Sequence, residues 1–333
     1  MTTITLSDRA LLQLRLAPQP VWEALVSAEL LARHRRTSPF PYRGWMRSAL
    51  AAARGSGAEA LIRWAGSWPR DQFPNFLVPQ PRPDDLDLAE SCRRIESWEP
   101  EAIRERLRRQ YPQDVPVAFR QFAVDTGAAL RSFQECLRDY AEVILKPYWS
   151  TISETLVDDL TYRSGVLAAG GVEELLGSLH HRVDWTSPEL TLTAPGVAGD
   201  TRTPERLLLV PLMFARDGVM VVDLDSDTTL IGYQARGAAN LATSANVSSS
   251  TASDHVVQLL GRTRAAVMRA LSMPRTTTAL ASELRLAPST ISEHLSVLVA
   301  CRIALRTRRA NRVYYGLTEN GLALLSLLMV GQR

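Results

Sequence analysis

The chain is poor in the residues that would give it a simple classification. Only one lysine (Lys146) stands among 38 basic residues in 333. Three cysteines, Cys92, Cys136 and Cys301, lie far apart and form no Cys-x-x-Cys pair, so neither a disulfide framework nor a cysteine-based metal knuckle is expected. No run of 18 apolar residues occurs, which excludes a spanning helix of the usual kind. The first twenty residues lack the basic-then-apolar layout of a secretory signal, and the chain is expected in the cytoplasm. There is no Gly-x-Ser-x-Gly elbow and no phosphate loop with its lysine; "AAGGVEE" lacks both lysine and pattern. An enzyme is therefore not expected, and no cofactor is called for. His180 and His181 are adjacent, so their rings diverge and no third ligand is spaced to join them; metal binding is not expected.

Composition is that of an ordinary globular protein, at 46% hydrophobic and 22% charged residues, with length for two or three domains. The charge is unevenly placed. From Asp254 onward eleven arginines face four acids (Asp254, Glu283, Glu293 and Glu319), about +7, which leaves about −4 for residues 1–253. A basic module on an acidic body points to a nucleic-acid contact at that end. An uneven surface without a partner would give the same count.

The periodicity predicts a mainly α chain with a small β component. Residues 1–155 read as a helical body, with "PVWEALVSAELLARH", "AIRERLRRQ" and "AALRSFQECLRDYAEVILKPYW" at helical spacing and Pro147 expected to end the last. Residues 156–237 read as a small α+β segment packed on that body. A short helix, "GGVEELLGSLHH", precedes the strand-like runs "RVDWTSPELTLTA", "RLLLVPLMFA", "GVMVVDLDS" and "TTLIGYQAR". Residues 238–254, small and polar, form a linker or a weak helix. All seven tryptophans precede residue 190. Two aromatic groups, Trp22, Phe40, Tyr42 and Trp45, and Phe73, Phe76, Tyr148 and Trp149, could line a pocket for a small apolar effector or simply form the core.

Residues 255–333 read as a winged helix-turn-helix. "DHVVQLLGRTRAAVMRAL" is amphipathic; Pro274 then breaks the chain, and Thr276 to Thr278 recap it ahead of a short helix, "TTTALASELR". After the tight "LAPS" connection, opened by Pro288 or Ser289, comes "STISEHLSVLVACR". There Ile291, Leu295, Leu298 and Val299 share one face. The other side shows Ser289, Thr290, Ser292, Glu293, His294 and Ser296, short groups that let a backbone sit deep in a major groove. Glu293 repels phosphate, so it either accepts from a cytosine amino group or pairs with a nearby arginine such as Arg302. The following segment reads as a β-hairpin. Ile303 and Leu305 alternate with polar residues before the tip, as do Val313, Tyr315 and Leu317 after it, and Asn311 suits the turn. Arg306, Arg308, Arg309 and Arg312 crowd that tip, where guanidiniums would grip phosphates. With Thr276, Ser289, Thr290, Ser292, Glu293, His294 and Arg302 they make the expected DNA-contact set. A last Leu-rich helix, "GLALLSLLMV", is too apolar for an exposed tail and suggests dimerisation.

This order of elements resembles the winged helix-turn-helix of the ArsR-type bacterial transcription regulators. It is carried by the Thr-x-x-Leu-Ala helix, the Ser-x-x-Ser-x-His-Leu helix and the Arg-rich hairpin ending in Tyr-x-Leu-Thr, about a quarter of the chain. More weakly, "PQPVWEAL", "NFLVPQP", "RLLLVPLMF" and "LIGYQARG" resemble the N-terminal region of a long actinobacterial branch of these regulators. The resemblance implies a homodimer on double-stranded DNA at a pseudo-palindromic operator, a repressor more than an activator, with the N-terminal body dimerising, sensing, or both, and no membrane partner. The competing reading is a ligand-binding or enzymatic protein that uses the winged helix only for dimer or protein contacts. Two departures stand out. Arg302 occupies a position where the family often has glycine, and "ALASELRLA" lacks the cysteine pair of metal-sensing members.

Overall fold

The computed structural model describes residues 2–329 apart from 35–37, 40, 70–71, 194–200, 217, 239–240, 242–254, 272–273, 285 and 310–311. It divides into two compact units, one of residues 1–36 and 46–238 and the other of 37–45 and 239–333. The architecture is mainly α with small sheets, as the periodicity predicts.

The first unit holds helices α1 (Asp8–Leu12) and α2 (Pro20–Arg33), most of α3 (Arg43–Ala53), and α4 (Ala58–Gly66). These are followed by α5 (Leu88–Glu96), α6 (Pro100–Gln110), α7 (Arg120–Val124), α8 (Thr126–Tyr140) and α9 (Trp149–Gly177). Four of these helices, α1, α2, α5 and α8, start at side chains that accept first-turn amides: Ser7 from Ala10, Gln19 from Val21, Asp87 from Glu90 and Asp125 from Ala128. Pro147 does not end the helical run. A π-turn over Ala141–Leu145 widens the helix ahead of it, and the proline sits in the first turn that follows, where its missing N–H leaves nothing unpaired. Helix α9 then crosses residues 155 and 156, so the division drawn there from composition falls inside a helix. The predicted "GGVEELLG" helix is its last part, set off by a kink at Gly171, whose φ of 69° suits glycine.

Two four-stranded sheets replace the single small sheet expected from sequence. One has the order β3 (Val183–Thr186), β4 (Glu189–Leu192), β1 (Thr2–Thr5), β5 (Thr201–Arg202). The other has the order β2 (Arg15–Leu16), β6 (Arg206–Leu212), β8 (Thr228–Gln234), β7 (Val219–Asp223). The N-terminal residues, read as part of a helical body, thus supply a strand to each. "TTIT" and "RL" are too short to show a strand pattern alone; they are recruited by β4 and β6. Strand β8 is buried along its whole length, parallel to β6 and antiparallel to β7, so even its polar Thr228, Thr229 and Gln234 are buried. Pro211 fits β6 because β2 pairs only as far as Leu209. Gly232 lets α2 approach: a Cβ there would lie 2.8 Å from the Trp22 ring and 2.7 Å from Leu212 Cδ1.

One core of this unit joins Ile4, Leu6, Leu175, Leu179, Leu190, Leu209 and Ile231 across both sheets and the end of α9. The aromatic residues pack edge to face among the helices. Trp64 meets Trp68 at 5.1 Å and Phe133 at 6.0 Å; Phe76 meets Phe119 at 5.6 Å and Phe122 at 5.2 Å.

Candidate nucleic-acid interface

The second unit carries helices Arg262–Ala270, Thr277–Leu284 and Pro288–Ala300, then strands β9 (Ala304–Arg309) and β10 (Arg312–Leu317) and a last helix, Glu319–Met329. A helix over His255–Leu260 precedes them. Ala265, Val267, Met268, Leu271, Leu280, Ile291, Leu295, Leu298 and Leu325 form its core. Burying each large aliphatic side chain is worth about 1.5–3 kcal/mol, which fixes the rotation of the Pro288–Ala300 helix.

That rotation turns Ser289, Ser292, Glu293 and Ser296 outward and leaves Thr290 and His294 half-buried on the flank. Ala287 precedes the helix and Pro288 occupies its first turn, so proline rather than serine opens it. Thr276 accepts from the Ala279 amide at 3.2 Å and so caps the preceding helix; its hydroxyl donates to no acceptor among the described residues. Glu293 makes no ion pair among the described residues, so the pairing with Arg302 is not formed. Its carboxylate is exposed and uncommitted.

Arg302 has φ of 58°, in the left-handed region. The Ile303 amide donates to Leu298 O at 2.9 Å and the Arg302 amide to Val299 O at 2.9 Å, the two bonds of a Schellman helix end. Thr318 Oγ1 donates to the Arg302 carbonyl at 2.7 Å. The backbone is therefore held where glycine would be easiest, and the side chain is an exposed cation at the end of the helix.

The hairpin differs from expectation in its faces. Ala304 pairs with Leu317, Arg306 with Tyr315 and Arg308 with Val313, so these six share one side. Leu305, expected to alternate inward, is 44% exposed on the other side. Cross-strand partners must face the same way, and the inward place at the base of β9 goes to Ala304, only 3% exposed. Arg306 and Arg308 are exposed toward the tip, and Arg309 pairs with Arg312 across the ribbon. The expected turn at Asn311 lies outside the described residues. The ribbon is tied to the helices by paired bonds of 2.7 Å between the Arg275 and Tyr315 backbones. The Arg275 guanidinium, 6% exposed, pairs with Glu283 of the Thr277–Leu284 helix. Sequence reading passed over Arg275; its position just before the cap was its only signal.

Two helices, the second held by its apolar face, with a basic two-stranded ribbon beside it, form a winged helix-turn-helix. Residues 262–304 match the family described as bacterial regulatory protein, arsR family. This segment is an ArsR-family DNA-binding domain. The match ends at Ala304, so the wing is identified by geometry rather than by the family model. No curated protein and no solved structure matches the chain. The ArsR-type domain makes the protein a DNA-binding transcription regulator.

The aromatic residues read as pocket lining or core are mostly buried. Trp22 and Trp45 are 0% exposed, Tyr42 1% and Phe76 2%, as core residues are. Phe73 packs on Trp68 at 5.4 Å, and Trp149 donates to Leu86 O at 2.8 Å. Tyr148 is half-buried, and Phe40 lies outside the described residues. The rings of His180 and His181 are 4.2 Å apart rather than divergent, with His180 Nδ1 accepting from the Arg182 amide at 3.1 Å. Burial pushes the Cys92 thiol up to about 12, so it stays protonated. No helix among the described residues is long and apolar enough to cross a membrane.

Proposed function

We propose that the chain is a cytoplasmic, homodimeric transcription repressor that reads a pseudo-palindromic operator. Two copies of the Pro288–Ala300 helix would enter successive major grooves, about 34 Å apart. The observation that carries this reading is the exposed face of Ser289, Ser292 and Glu293 beside the Arg306 and Arg308 ribbon. Thr290, His294 and Glu293 would read base edges, while Thr276, Arg302 and the wing arginines would hold phosphates. Dimerisation is assigned to the apolar surface of the first and last helices of this unit, where Leu259 is 61% and Leu322 39% exposed. The N-terminal unit would add to the dimer or carry the signal, an effector acting only through unequal affinity for the free and DNA-bound states. The reading gives the chain no catalytic role.

Selection of genomic fragments by the purified full chain tests it. The expected result is an enriched inverted repeat. Arg306→Ala with Arg308→Ala should weaken binding to all fragments and flatten the dependence of log affinity on log salt by about 0.9 for each phosphate no longer neutralised. Thr290→Ala or His294→Ala should change the enriched sequence instead. No binding at low salt would overturn the reading and leave the winged helix to protein contacts.

A further inference from the structure

Among the described residues of the second unit, Arg275 is the one buried charged residue, at 6% exposure. It stands where three elements meet. Its backbone N–H and C=O both bond to Tyr315 of β10 at 2.7 Å, an antiparallel bridge between the wing and the segment ahead of the Thr277–Leu284 helix. Its guanidinium pairs with Glu283, near the end of that helix. The next residue, Thr276, caps the same helix.

The strand register carries this position across to the wing arginines. Arg275 lies opposite Tyr315, and Tyr315 lies opposite Arg306. Cross-strand partners face the same way, so the three form one row, buried at Arg275 and exposed at Arg306. Arg308, opposite Val313, stands on that face two residues nearer the tip, roughly 7 Å along the strand. A small tilt of the ribbon at Arg275 therefore displaces both wing arginines. The Thr277–Leu284 helix is fixed in turn against the Pro288–Ala300 helix, because Leu280 and Ala281 share a core with Ile291 and Leu295.

Stability alone does not call for a charge at this place. A guanidinium loses its hydration on burial, and an apolar side chain of similar length would fill the site without that loss. An arginine–carboxylate pair is directional, so it favours one arrangement of the two elements that carry it. Arg275 is also poorly placed to hold a phosphate itself, since it is buried and its charge is met by Glu283.

We propose that Arg275, through its pair with Glu283, is a positioning residue for DNA binding. It holds the wing at the angle from which Arg306 and Arg308 reach phosphates while the Pro288–Ala300 helix lies in the groove. The proposal rests on the wing-to-phosphate reading above.

The test is fluorescence anisotropy of the full chain on a random-sequence duplex of about 40 base pairs, between about 50 and 200 mM potassium chloride. The temperature is one at which circular dichroism shows each variant folded. Arg306→Ala with Arg308→Ala sets the scale, a salt slope flatter by about 1.8 for two phosphates at about 0.9 each. Arg275→Met should flatten the slope by more than the about 0.9 that one lost cation explains. It should add little in a chain that already lacks both wing arginines. Glu283→Gln should flatten the slope and weaken binding, although loss of an acid by itself strengthens binding to DNA. The Glu283 side chain is 37% exposed, so this variant still decides the matter if Arg275→Met does not fold. Wild-type slopes in Arg275→Met and Glu283→Gln, with the wing variant flattened, would overturn the proposal and leave the wing reading standing. A loss of about 0.9 in Arg275→Met, with tighter binding by Glu283→Gln, would make Arg275 a direct phosphate contact and also overturn it. An unchanged slope in the wing variant would remove the wing from the interface, and both readings would fall.

Discussion

Arg302→Gly separates stability from DNA affinity at one position. The backbone there stands at φ 58° as the left-handed residue of a Schellman end. A side chain in that conformation costs about 1–2 kcal/mol, a cost glycine does not carry. Glycine also gives the unfolded chain more freedom, which takes back about 0.5–1 kcal/mol. The net gain is about 0.5–1 kcal/mol for the unit that contains the Pro288–Ala300 helix. Hydrogen exchange of that helix in the full chain reads the change directly. Its protected amides should exchange about two- to fivefold more slowly, since 1.4 kcal/mol corresponds to tenfold. The same substitution removes an exposed cation beside the recognition face, so the salt slope on the selected operator should flatten by about 0.9 if Arg302 holds a phosphate. Arg302→Ala keeps the backbone cost and loses the charge. The two variants should therefore agree in DNA binding and differ in protection. Unchanged or faster exchange in the glycine variant would refute the strain argument. An unchanged slope in both would remove Arg302 from the interface.

The other predictions concern the N-terminal unit. Glu23 is fully buried against the amides of Met213 and Phe214, near the Ser27–Tyr140 hydrogen bond, and burial pushes its carboxyl up to about 8. Its ordinary value is 4.5, so between pH 4.5 and 8 the folded chain holds a proton that the unfolded chain has lost. Stability should fall as pH rises through that window and level off above it. Urea midpoints at pH 5, 6.5 and 8 should show the fall in the wild type and little of it in Glu23→Gln; parallel curves would refute it. Gly232→Ala would drive a Cβ into the Trp22 ring and Leu212, and should destabilise this unit by about 1–3 kcal/mol in urea unfolding. A midpoint within error of wild type would mean that α2 gives way without cost.

The reading of residues 262–304 was available from sequence because its signals are local. Apolar spacing in the Pro288–Ala300 helix fixes which face is buried, and Ile291, Leu295 and Leu298 are buried as that spacing predicts. The hairpin was legible in its existence but not in its faces. Leu305 and Ala304 are neighbours, and only pairing with Gly316 and Leu317 decides which of them turns inward.

In the N-terminal unit the sequence alone determined that runs such as 20–33 and 126–140 are helical and which runs favour strands, such as 206–212 and 228–234. Tertiary structure decided the rest. Residues 2–5 and 15–16 have too few side chains to declare themselves and become strands by joining β4 and β6. Trp22, Phe76 and Trp149 look alike as candidate pocket residues, yet packing buries the first two and hydrogen-bonds the third to Leu86. The left-handed backbone at Arg302 likewise follows from bonds to Leu298, Val299 and Thr318, the last sixteen residues away. Local preference acts through a residue's own backbone and nearest turn; which face is buried and which charge stays unpaired depend on what the fold brings against it.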